Sequence, residues 1–169
     1  MNLSELTNKV QKLAYQYERQ YGGCTQCVVG AYKTVLGTIS DDVFRAATGL
    51  AGGIGLTGGS CGALAGGVLV ISTFLGRDYE NFADPDRVRW ETFRLTAELV
   101  EHFKREYGSP ICRDIQTKIM GRYFNLWDDK EYNEFLAAGG HEDKCPSVCA
   151  NAAKWVAEIL ADEGLLKGD

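Results

Sequence analysis

The sequence predicts an all-α fold, a compact helical bundle of about six to seven helices, in a single domain over residues 1–169. Three observations predict it. Apolar residues recur at helical spacing through most of the chain. No stretch alternates apolar and polar residues as a half-buried strand does. Helix punctuation falls between the periodic segments, at Gly22-Gly23, Gly108, Ser109-Pro110 and Pro146.

The elements follow in order. Leu6, Val10, Leu13, Tyr17 and Tyr21 set one apolar face of a first helix over Ser4–Tyr21. Gly22-Gly23 breaks it, and Cys24 opens a second that runs to Leu36. Ser40 is a cap for a short third helix carrying Val43, Phe44 and Ala47. A glycine loop leads into a central helix over Cys61–Leu75, with Ser60 as its cap. Asp84-Pro85 starts the longest helix, which runs to Tyr107 and buries Val88, Phe93, Leu99 and Phe103. Ser109-Pro110 begins the next, which stops near Gly121. Asp128 caps a segment to Ala138, and the final helix runs from Cys145 to about Leu160 with Val148, Ala152, Val156, Ile159 and Leu160 on one side.

Within the central helix, Gly58, Gly62 and Gly66 recur every four residues beside Ala63 and Gly67. Such a face lets a neighbouring backbone approach closely. It also suits a homodimer contact, or leaves room beside Cys61 for a cofactor or a partner sulfur.

Composition narrows the function. With 45% apolar and 24% charged residues, the chain carries enough apolar surface to fold. A net charge of −5, with no Lys/Arg cluster interleaved with aromatics, argues against a nucleic-acid partner. Ala46–Gly76 lacks charge, but its first half is broken by glycines and Cys61–Leu75 is too short to span a bilayer, so a soluble protein is expected. The polar amphipathic start, without a signal-peptide core or a twin-arginine pair, points to the cytoplasm. Thiols there are mostly reduced, and clustered cysteines serve catalysis, sensing or metal binding more often than structural disulfides.

All six cysteines fall at or near helix starts: Cys24, Cys27, Cys61, Cys112, Cys145 and Cys149. Unpaired N–H groups and the positive end of the macrodipole favour thiolate there, the form that attacks disulfides and binds metal. Cys24-Thr-Gln-Cys27 is a C-x-x-C whose Cβ atoms stand about 5–6 Å apart on a helix face, against roughly 3.5–4.5 Å in a disulfide. That suits a labile redox pair, or two ligands of one metal. No βαβ pattern supports a thioredoxin reading. Cys145 and Cys149 form a second pair, and His141 upstream offers a nitrogen ligand, although a loop histidine is ordinarily solvated. His102 reads as a packed or surface residue. If the helix ends converge, they form one thiol-lined pocket.

The segment Ser60-Cys61-Gly62-Ala63-Leu64-Ala65-Gly66-Gly67, preceded by Gly52-Gly53-Ile54-Gly55, resembles the C_GCAxxG_C_C family of redox-active proteins, with one family cysteine before the motif and two after. The resemblance extends over nearly the whole chain. It implies Cys24, Cys61, Cys112 and Cys145 as the four characteristic positions, with Cys27 and Cys149 as additions. A related helical domain accompanies the haem region of split-Soret cytochromes, which are dimeric. No C-x-x-C-H occurs here, so no c-type haem is expected.

The leading expectation is therefore a redox protein whose cysteines form one site. Cys24, Cys61, Cys112 and Cys145 would bind an iron–sulfur cluster or another metal for electron transfer to a redox partner protein. The alternative is a metal-free oxidoreductase in which all six thiols are candidates for disulfide exchange with a thiol substrate. A structural zinc site is the less favoured third reading, and an interaction module with inert cysteines the fourth. Acid–base chemistry has little support. Asp41-Asp42 and Asp128-Asp129 sit where caps belong, while Glu18, Arg19, Lys104, Arg105 and Glu106 read as a solvated face. Asp114 and His141 are the titratable groups nearest a cysteine in sequence. No phosphate-binding loop is present.

Overall fold

In the computed structural model, which describes residues 1–166, eight α-helices and no strand stand among the described residues. α1 (Leu3–Tyr21) starts earlier than expected because Asn2 and Glu5 cap it reciprocally, the Asn2 side chain accepting from Glu5 N–H at 2.9 Å. Its buried stripe is Leu6, Val10, Ala14 and Glu18. Tyr21 points to solvent instead.

α2 (Cys24–Leu36) begins after Gly22 and Gly23, whose φ angles of +69° and +80° turn the chain where a side chain would be strained. α3 (Asp41–Ala46) has the expected Ser40 cap. α4 (Gly62–Phe74) is capped by Cys61 rather than Ser60. α5 (Val88–Tyr107) starts later than Asp84-Pro85, because the Asp84 carboxylate accepts from the Val88 and Arg89 amides at 2.7 and 3.2 Å and also pairs with the Arg89 guanidinium. Its buried face is Thr92, Leu95, Leu99, Phe103 and Tyr107, while Val88 is half-buried and Phe93 is 55% exposed. Phe93 stands six residues from Leu99, too far round the helix to share the face of Leu99 and Phe103. α6 (Cys112–Met120), α7 (Asp129–Ala137, capped by Asp128) and α8 (Cys145–Asp162) complete the chain, with a π-helical turn over Gly140–Lys144 running directly into α8.

α8 is the axis. Its small residues Ala152, Ala153 and Ala157 are fully buried, and α1, α2, α4 and α5 all pack on it. The buried Tyr32 hydroxyl donates to the Ala153 carbonyl at 2.7 Å and locks α2 to it. The glycine stripe is used inside the chain. A Cβ on Gly66 would stand 2.6 Å from the Thr25 carbonyl oxygen, and one on Gly67 would stand 2.6 Å from Leu99 and 2.9 Å from Val156. Gly58 is not part of it, lying in the loop against Tyr123 with φ +80°.

The segment before α4 has an unusual backbone. Gly52, Gly53, Ile54, Gly55 and Leu56 all have positive φ, from 60° to 78°, a left-handed turn in which two residues are not glycine. Beyond it, Ser60 and Ile111 form a single antiparallel bridge. Cys61 N–H donates to the Pro110 carbonyl at 2.9 Å, and Cys112 N–H to the Gly59 carbonyl at 2.6 Å. These bonds clamp the starts of α4 and α6 together. No helix is long and apolar enough to cross a membrane, among the described residues.

Candidate functional site: a cysteine-lined cavity

Five thiols meet at one cavity. Cys24 opens α2, Cys61 caps α4, Cys112 opens α6, and Cys145 and Cys149 stand in the first turns of α8. All five line a space of about 250 Å³, walled otherwise by Leu56, Ile115, Ile119, Val148 and Phe135. Cys27 does not join them. Its thiol donates to the Gly22 carbonyl at 3.1 Å and borders a separate groove beside Tyr17, Gln26 and Phe44. The two sulfurs of the C-x-x-C motif therefore serve different walls, because Cys24 lies at the helix start while Cys27 lies one turn deeper, against α1. All six cysteines are free thiols.

Gly62 explains the spacing of the central motif. A Cβ there would overlap Cys24 Sγ and stand 2.8 Å from Thr25 Oγ1 and 3.0 Å from Ala51 Cα. The missing side chain is the room the Cys24 sulfur occupies. The left-handed turn contributes as well, since Ala51, Gly52 and Leu56 line the cavity and the Gly52 amide favours the Cys24 thiolate. Trp127 ties the loop before α7 to this turn, its indole N–H donating to the Gly55 carbonyl at 2.9 Å.

The thiolates expected from the helix starts are disfavoured by burial in this cavity. Burial pushes the Cys61 and Cys112 thiols up to about 12 and raises Cys24, Cys27, Cys145 and Cys149 as well. The amides of Ala63 and Leu64 at the start of α4 do pull Cys61 back, as helix geometry requires. Removing the sulfur from water costs more than these amides return. Burial thus favours the protonated form at all six.

Two residues at the cavity were misplaced by sequence reasoning. Glu18, assigned to a solvated face, is 2% exposed, and its charge is among the causes that raise all six cysteines. Its Oε2 has no hydrogen-bond partner. The signal was in the α1 stripe, where Glu18 continues Leu6, Val10 and Ala14 at a spacing of four. His141, expected in solvent, lines the same cavity with Nδ1 3.0 Å from Glu18 Oε1, though without hydrogen-bond alignment. By contrast, His102 stacks on Trp155 with ring centres 5.2 Å apart, away from the cysteines, as a packed residue. Asp114 accepts from the Ser109 hydroxyl at 2.6 Å and serves the start of α6.

The donor chemistry fits a thiolate-ligated group. Several thiols on an apolar wall become ligands once a cation displaces their protons, and the buried Glu18 carboxyl lies in the same wall with its Oε2 unpartnered. The thiols ring the cavity rather than one point. No three His, Cys, Asp or Glu side chains are gathered as donors for a single metal ion, among the described residues. Around one zinc ion the sulfurs would each stand about 2.3 Å from the metal.

Comparison with curated proteins and with solved structures gives no match. The family model described as "Putative redox-active protein (C_GCAxxG_C_C)" matches residues 22–159, from the turn before Cys24 to the end of the α8 core, and the chain belongs to that family.

Proposed function

We propose that the cysteine-lined cavity is the redox centre, and that Cys24, Cys61, Cys112 and Cys145 hold an iron–sulfur cluster through which the protein exchanges electrons with a partner protein. The observation that carries this reading is that the four cysteines stand at the starts of four different helices and line one cavity. A closed zinc site would need its donors gathered about one ion, and a dithiol exchanger would need only two of the sulfurs. When bound, a cluster supplies single-electron transfer at a potential set by burial and nearby charge. This chain's residues would supply the thiolates and the apolar wall that excludes water.

The test is Cys61→Ser with the protein purified without oxygen. Loss of any visible absorbance and of bound iron, with helical content unchanged by circular dichroism, is the expected result. Unchanged absorbance and iron content would remove Cys61 from the site.

Neutral, buried thiols also bear on the metal-free alternative, because thiolate is the attacking form in disulfide exchange. Under that reading two cavity thiols would cycle through a disulfide, and Cys61→Ser would leave iron absent in both proteins and change only the count of oxidisable thiols.

A further inference from the structure

We infer that Thr25 is a positioning residue of the cysteine site, its buried hydroxyl a hydrogen-bond donor held beside Cys24 for the sulfur to accept once that cysteine ligates a cation. The inference rests on the reading of the cavity as a thiolate-bound centre. Thr25 is fully buried, and its Oγ1 has no hydrogen-bond partner. A hydroxyl withdrawn from water and left unpaired costs stability, which calls for an explanation in a native fold.

The chain shows how its helical threonines are ordinarily satisfied. Thr7, Thr92 and Thr117 each donate to the carbonyl four residues back, at 2.9, 3.2 and 2.9 Å. Thr25 stands in the first turn of α2. The carbonyl four residues back belongs to Tyr21, across the turn that Gly22 and Gly23 make with positive φ. The Gly22 carbonyl accepts from the Cys27 thiol at 3.1 Å. The break that opens α2 thus takes away the usual acceptor and frees the hydroxyl.

What lies beside it is sulfur. A Cβ on Gly62 would overlap Cys24 Sγ and stand 2.8 Å from Thr25 Oγ1, so the two atoms flank the same bare space over α4. Thr25 is held there, since a Cβ on Gly66 would stand 2.6 Å from its carbonyl oxygen and 3.3 Å from its Cα. The backbone amides of Gly52 and of Thr25 itself favour charge on the Cys24 sulfur, and the hydroxyl adds a side-chain donor to that cradle. A neutral thiol is a weak acceptor, and against it Oγ1 stays unpaired. A cation-bound thiolate is a stronger one, and a charge-assisted bond from Oγ1 then fixes the direction of the ligating sulfur. Serine can make that bond. Valine and alanine cannot.

The experiment is a chelator-competition titration of the full-length, reduced, metal-free protein with cadmium, a soft cation suited to thiolates. Binding is read by the ultraviolet cadmium–thiolate absorbance, and urea unfolding of each metal-free protein is measured beside it. Thr25→Val is expected to bind cadmium about tenfold more weakly than wild type. Its metal-free urea midpoint is expected to equal or exceed the wild-type value, because the substitution removes an unpaired buried hydroxyl. Thr25→Ser is expected to restore most of the affinity. In a Cys24→Ala background, Thr25→Val is expected to weaken binding no further, since the acceptor is gone. Thr25→Ala takes the place of Thr25→Val in the same cycle if the valine protein does not fold. Wild-type affinity in Thr25→Val, an equal loss in Thr25→Ser, a lowered metal-free midpoint, or a loss that persists in the Cys24→Ala background overturns the role of Thr25 and leaves the thiolate-bound reading standing. A wild-type protein that takes up no cadmium overturns both.

Discussion

At the scale of single residues, burial outweighs helix-start electrostatics. Cys61 receives the benefit its position at the start of α4 offers, and its thiol is still pushed up to about 12 because the residue is buried. Such a site is reactive only when something else supplies the charge, which a bound cation does. Gly62 is the clearest case of a residue chosen for what it lacks. Gly62→Ala would force its methyl against Cys24 Sγ, with Thr25 Oγ1 and Ala51 Cα also inside normal contact. The expected outcome is a loss of roughly 1–3 kcal/mol by urea unfolding, with reduced iron retention and faster alkylation of Cys24 by mass spectrometry. An unchanged urea midpoint and unchanged Cys24 labelling would show that the sulfur does not sit there.

At the scale of elements, what the sequence made legible were caps and punctuation. The glycine pair before α2, the Ser40 and Asp128 caps and the glycine ends of α1, α5 and α6 stand where residue chemistry puts them. The start of α5 was misread because Asp84 caps from a distance, its carboxylate reaching forward to residues 88 and 89. The left-handed turn over residues 52–56 is legible in the sequence only as a glycine loop, since two of its members, Ile54 and Leu56, give no signal of positive φ. Ile54 is β-branched, 53% exposed, and held at φ +68°. Left-handed backbone costs such a residue about 1–2 kcal/mol, and glycine would return part of that to unfolded-chain entropy. Ile54→Gly is therefore expected to raise the melting temperature by about 2 °C. A fall would mean that the exposed Ile54 side chain holds the turn by contacts that outweigh its strain.

At the scale of the whole molecule, the all-α architecture was legible because apolar periodicity is local. The site was legible only as a set of cysteines. Their meeting depends on distant pairings that no window of sequence contains: the Ser60–Ile111 bridge joining α4 to α6, and α8 threading between α1, α2 and α4. Those pairings separated Cys27 from the other five thiols and carried Glu18 and His141 in from segments that read as surface. The fold places helix starts around one cavity, and the chemistry follows from that placement.

The cavity is proposed to hold a thiolate-bound iron–sulfur cluster. The most direct test of this is an ultraviolet–visible spectrum of protein purified without oxygen, with iron, zinc and sulfide measured on the same sample. A broad visible band that bleaches with dithionite, with iron and sulfide both present, is the predicted result. A colourless protein free of metal and sulfide, with six titratable thiols, would contradict it and assign the cavity to disulfide exchange.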